Sequence, residues 1–86
     1  MAEYTLIASR SAEKDLADLD PNILKRIVPK IESLATQPRP SGCKKLKGEK
    51  NRWRLRVGDY RVIYSIDDKN RVLDISAIRH RREAYQ

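Results

Sequence analysis

Apolar and polar positions along the chain change period once, and that change separates a helical part from a sheet. Tyr4-Thr5-Leu6-Ile7-Ala8 is short and β-prone and predicts a strand. Ser9 and Ser11 offer N-cap hydroxyls ahead of Ala12, Leu16 and Leu19, which recur at helical spacing. Asp20-Pro21 is a helix start: Asp caps, and Pro fills the first helical position, where no amide hydrogen is needed. From there Ile23, Leu24, Ile27, Val28, Ile31, Leu34 and Ala35 form one apolar stripe. Pro29 falls nearly opposite the stripe, so it should kink the helix on its solvent side and spare the core. Pro38 is expected to end it. Two helices joined this tightly predict an antiparallel helical hairpin.

A basic loop is expected from Arg39 through Lys50, and after it the period becomes two. Arg52-Trp53-Arg54-Leu55-Arg56-Val57 alternates basic and apolar residues without a fault. Gly58-Asp59 reads as a two-residue turn into the strand Tyr60–Ile66. Asp67 to Asn70 make a second polar turn, and Arg71 to about Ile78 form the last strand. The predicted fold class is therefore α+β, a small antiparallel β-sheet in the order β-α-α-β-β-β with the two-helix hairpin packed on one face.

The turn also fixes a register. If Gly58-Asp59 closes the hairpin, Val57 faces Tyr60, and Trp53, Leu55, Val57, Tyr60, Val62, Tyr64 and Ile66 share the face under the helices. Arg52, Arg54, Arg56 and Arg61 then share the other face with Ile63 and Ser65, and Arg56 lies opposite Arg61. Like charges facing across strands are destabilising, so folding alone would not select this arrangement. A polyanion bound there would offset the repulsion. Phosphate is the natural guest, because a guanidinium binds its oxygens bidentately. The expectation includes an absence of acidic partners on that face.

Composition sharpens this picture. With 86 residues there is room for one domain, taken here as 1–86, and Phe is absent, so Ile, Leu and Val must fill most of the core. Nineteen basic against twelve acidic residues leave a formal net charge of +7, which implies an acidic partner. No stretch reads as a membrane span or a signal peptide. The single Cys43 cannot form an internal disulfide, which fits a reducing cytoplasm. It reads as an incidental thiol.

The C-terminal run Arg79-His80-Arg81-Arg82-Glu83-Ala84-Tyr85 carries the only His. Parity is awkward here: Leu73, Ile75 and Ala77 look core-facing, which puts Arg79 on the wrong side unless the strand bulges or ends first.

Taken together, Arg56-Val57-Gly58-Asp59-Tyr60-Arg61-Val62-Ile63-Tyr64, Arg79-His80-Arg81, Tyr85, Ala12-Glu13-Lys14-Asp15-Leu16 and Leu46-Lys47-Gly48 resemble the RelE/ParE toxin superfamily over nearly the whole chain. The resemblance implies a ribosome-dependent endoribonuclease that acts without metal or other cofactor and is neutralised by a cognate antitoxin protein. It implies contact with mRNA on the ribosome and with ribosomal RNA, and with operator DNA only through the antitoxin complex. It places Arg61 as the phosphate-binding arginine, Arg79 as a second catalytic arginine, Tyr85 as the C-terminal tyrosine that stacks on a base, and Arg52 and Arg54 where RelE-type toxins carry two lysines. Lys44, Lys45, Lys47, Lys50, Arg56, Arg81 and Arg82 are the expected RNA- and ribosome-binding cations. Arginine, with a pKa above about 12, is a poor general base, so His80 ranks first as acid or base and Tyr85 second. Two alternatives share the fold: a ParE-type gyrase inhibitor without a nuclease site, and a basic antitoxin- or nucleic-acid-binding module without catalysis.

Overall fold

Ser9 and Asp20 begin the two helices by the mechanism their side chains allow. The computed structural model describes residues 3–48 and 51–80. In chain order the elements are β1 (Thr5–Ala8), α1 (Arg10–Ala17), α2 (Pro21–Ser33), β2 (Cys43–Lys45), β3 (Arg52–Val57), β4 (Tyr60–Asp67) and β5 (Val72–His80). Ser9 is extended and its Oγ accepts the Ala12 amide hydrogen at 3.1 Å. Asp20 accepts from the Asn22 amide at 2.8 Å, with Pro21 behind it at the helix start. Pro29 sits inside α2 on its exposed side. The helix stops at Ser33 with Leu34 as its cap, earlier than Pro38. Pro38 instead anchors the following loop, its carbonyl accepting from the Tyr64 hydroxyl at 2.8 Å.

The five strands form one sheet in the order β1-β5-β4-β3-β2. β3, β4 and β5 make the expected antiparallel meander, with Val57 opposite Tyr60 and Arg56 opposite Arg61. Two features differ from the sequence expectation. β1 pairs parallel with β5, so the sheet is mixed at that edge. Within the basic loop, Cys43–Lys45 pairs antiparallel with β3 as a three-residue edge strand. So short a segment carries no period of its own; pairing with Trp53–Leu55 is what makes it a strand.

Both helices contribute to one core. Ala12, Ile27 and Leu34 meet Leu55, Val62, Tyr64, Ile66, Leu73, Ile75 and Ile78 from the sheet. With no Phe available, Tyr64 is the bulkiest fully buried side chain, and its hydroxyl reaches Pro38 to stay hydrogen-bonded.

A bulge in β5 resolves the parity of its last residues. Ile63 pairs with Ala77 and Tyr64 with Ile75, leaving Ser76 as the extra residue. Before it, Leu73 and Ile75 face the core; after it, Ile78 does, opposite Val62. Ala77 therefore faces away from the helices, contrary to the simple alternation, and Arg79 faces away with it.

Candidate nucleic-acid interface

Strand register assembles the helix-free face row by row. Arg56, Arg61 and Arg79 lie directly opposite one another on β3, β4 and β5. Two residues along, Lys44, Arg54, Ile63 and Ala77 form the next row. The third holds Arg52, Ser65, Asp74 and Ile7. Neighbouring strands lie about 4.8 Å apart, so the backbone positions of the three arginines in the first row span roughly 10 Å. A depression of about 180 Å³ opens on this face, and Lys44, Arg54, Arg56, Arg61 and Gly42 line it. Every side chain there with a charge is a cation.

The arginines differ in setting. Arg61, in the middle of its row, is only 6% exposed, whereas Arg56 is exposed. Arg56 Nε donates to the carbonyl of Gly58 at 3.1 Å, which ties it to its own hairpin turn. Arg79 lies 3.8 Å from Asp15 of α1, whose other carboxylate oxygen accepts the Ile78 amide hydrogen at 3.0 Å. Guanidinium groups remain protonated under all ordinary conditions, so the row is a fixed array of positive charge.

The expected absence of acidic groups on this face is corrected by Asp74. It stands in the Arg52 row, with Ser65 between them, and its Oδ1 is buried without a hydrogen-bond partner among the described residues. The basic character is thus concentrated at the hairpin end, around Arg56, Arg61, Arg79, Arg54 and Lys44, and Arg52 stands at its margin.

His80 is not brought to this patch. It pairs with Tyr60, a core-facing position, and the two rings meet edge to face with centroids 5.2 Å apart. It lines a separate cavity of about 290 Å³ on the helix side, with Ile23, Ile27, Val57 and Tyr60. The same bulge that turns Arg79 outward turns His80 inward, because successive strand residues face opposite ways. Lys45 lies opposite Trp53, on the core side of the sheet, and Lys47 is exposed in the turn that follows β2. Lys50, Arg81, Arg82 and Tyr85 lie outside the described residues. Sequence reasoning named Asp15 only as part of the family resemblance and gave it no role; its contacts with Ile78 and Arg79 emerge once α1 lies beside the end of β5.

Among the described residues, no group of three or more His, Cys, Asp or Glu side chains could hold a metal ion, and no helix is long and apolar enough to cross a membrane.

The chain has clear relatives. Residues 6–85 match the family described as the ParE toxin of the type II toxin–antitoxin system parDE. The protein named RelE1 of Methanocaldococcus jannaschii is 40% identical over 76 residues, covering 85% of this chain and 84% of that one. Toxin RelG of Mycobacterium tuberculosis is 33% identical over 84 residues, covering 96% of this chain and 97% of the relative. The crystal structure of the toxin–antitoxin complex RelBE2 from Mycobacterium tuberculosis contains a chain similar in fold, with a TM-score of 0.81 and 32% identity over 92% of this chain and 99% of that one. Sequence, fold and the span of the match agree, and this chain belongs to the RelE/ParE superfamily of type II toxins.

Proposed function

We propose that this toxin is a ribosome-dependent endoribonuclease of the RelE type, cutting mRNA in the cytoplasm and thereby stopping translation. The observation that carries this reading is the row Arg56, Arg61 and Arg79, three cations facing one another across adjacent strands with Lys44 and Arg54 beside them. Both named relatives are RelE- or RelG-type toxins, which supports the same branch. In the proposed reaction the substrate's own 2′-oxygen bonds to the adjacent phosphorus and the bond to the 5′-oxygen breaks. A cyclic phosphate and a free 5′-hydroxyl result; the 2′-hydroxyl loses its proton to a base and the 5′-oxygen gains one from an acid. Negative charge accumulates on the phosphorane between these events. Preorganised guanidinium groups aimed at that charge are the largest contribution a site of this kind makes. Arg61 and Arg79 are proposed to hold the scissile phosphate, and Lys44, Arg54, Arg56 and Arg52 its neighbours. The acid and base are proposed to come from this face and from Tyr85. The ribosome would hold the mRNA in the reactive geometry that so small a site does not impose alone.

A related toxin is solved in complex with its antitoxin, and a cognate antitoxin protein is proposed for this chain as well. An acidic segment would fit its basic face. Operator DNA would be bound only through that complex.

One experiment tests the activity: the protein is induced in cells and 5′ ends are mapped on translated and untranslated copies of one transcript. Cleavage confined to the translated copy is the expected result. The matched family description names ParE and so favours a second reading, inhibition of gyrase. Intact mRNA together with linearised, gyrase-dependent DNA would establish that reading in place of the first.

A further inference from the structure

β1 covers the edge of β5 only from Val72 to Ile75, because the chain leaves the sheet at Ser9 to begin α1. Beyond that point no described strand lies on the outer side of β5, yet its Ser76 carbonyl and Ile78 amide are hydrogen-bonded. The Ser9 amide donates to the Ile75 carbonyl at 3.0 Å and the Ser9 hydroxyl to the Ser76 carbonyl at 2.9 Å. Asp15, nearly two turns further along α1, accepts from the Ile78 amide at 3.0 Å. Side chains of one helix thus take the place of a missing strand, and they do so across the bulge that sets the facing of Arg79.

Asp15 does a second thing. Its Oδ1 lies 3.8 Å from Arg79 Nη1, with the Asp15 side chain 19% exposed and that of Arg79 41% exposed. This separation is too long for a hydrogen bond but within the range of an ion pair. A carboxylate there offsets part of the repulsion that Arg79 meets from Arg61 across the strand pair.

We infer that Asp15 is a positioning residue for Arg79: one oxygen fixes the bulged end of β5 and the other holds the guanidinium in the arginine row. As a contribution to catalysis this rests on the nuclease reading above. Asp15 touches no substrate; it acts through Arg79.

The test is a double-mutant cycle of Asp15→Asn and Arg79→Ala in the full chain. Asp15→Asn keeps an oxygen acceptor for the Ile78 amide and removes only the charge, so the fold should be retained. On programmed ribosomes its single-turnover rate should fall roughly 10–100-fold, the scale of a misplaced reacting group, while the ribosome concentration giving half-maximal rate stays near wild type. In the Arg79→Ala background the same change should cost nothing further. The Arg79 Nε–H signal in NMR spectra should broaden or shift in Asp15→Asn, whatever the protein's activity. Wild-type rate with an unchanged Arg79 signal, or losses that simply multiply in the double variant, would overturn the inference. If the wild-type protein cleaves nothing, the nuclease reading fails and the NMR comparison alone decides whether Asp15 positions Arg79.

Discussion

Arg61 is a charged residue with almost no exposed surface, and its surroundings decide how its role can be measured. It faces away from the helices, but Arg56 and Arg79 flank it and leave it 6% exposed. Truncation to Ala would remove both charge and packing volume. Arg61→Met keeps most of the stem, so its thermal midpoint should remain near wild type while the cleavage rate falls on the order of 10²–10³. A folded Met variant that cleaves normally would remove Arg61 from the site. His80 gives the complementary control. Its ring packs against Tyr60 on the helix side, so His80→Gln should leave the cleavage rate unchanged. A fall of roughly 10²–10⁴, the usual contribution of a general acid or base, would return His80 to the chemistry.

At the scale of elements, turns and caps hold the arginine strands in register. Gly58 has φ +61°, which a side chain disfavours, and it occupies the first position of the two-residue turn between β3 and β4. Gly58→Ala should therefore cost about 1–2 kcal/mol in chemical denaturation. Asp20→Ala, which removes the α2 cap, should cost about 0.5–2 kcal/mol by the same measurement. The turn between β4 and β5 is strapped to distant segments: Arg39 donates to both oxygens of Asp68, at 3.2 and 2.8 Å, and the Tyr4 hydroxyl donates to the same carboxylate. Arg39 also lies over the Trp53 ring, 5.1 Å from its centroid. The hydrogen bond from Arg39, then that from Tyr4, holds the Asp68 carboxyl below its ordinary pKa. Its stabilising effect is thus present above the unfolded-state pKa and lost as pH falls through the lower folded value. Burial raises the Tyr64 pKa, so that contribution is present below the ordinary tyrosine value and lost as pH rises through the raised one. Asp68→Asn should flatten the acid limb of a stability–pH curve and leave the alkaline limb in place.

The whole molecule carries a formal charge of +7, and five of its cations meet at one end of the helix-free face. With Arg52 at the margin, Lys44, Arg54, Arg56, Arg61 and Arg79 make six cations on that face for phosphates to engage. A single strand gives a slope of about −0.7 in log K against log salt per phosphate, so this face should contribute a slope of up to about −4.2 to RNA binding. Arg61→Met should make that slope shallower by about 0.7. A slope unaffected by the substitution would place RNA elsewhere. Association with an acidic antitoxin should likewise be fast and should slow as salt rises.

The arginine row was legible in the sequence at Arg56 and Arg61, because a two-residue turn and a period of two leave no freedom in the register between them. Both helix starts were legible for a similar reason: a cap is a contact between residues two or three positions apart. What sequence could not decide involved partners distant in the chain. Cys43–Lys45 is a strand because β3 lies beside it, and that pairing turns Lys44 toward Arg54. Arg79 joins the row and His80 leaves it because of one extra residue in β5, braced by Ser9 and Asp15 more than sixty positions earlier. Alternation along a strand is a local property and is inherited from the sequence. Its phase after a bulge is set by hydrogen bonds to another element, and only the tertiary structure supplies those.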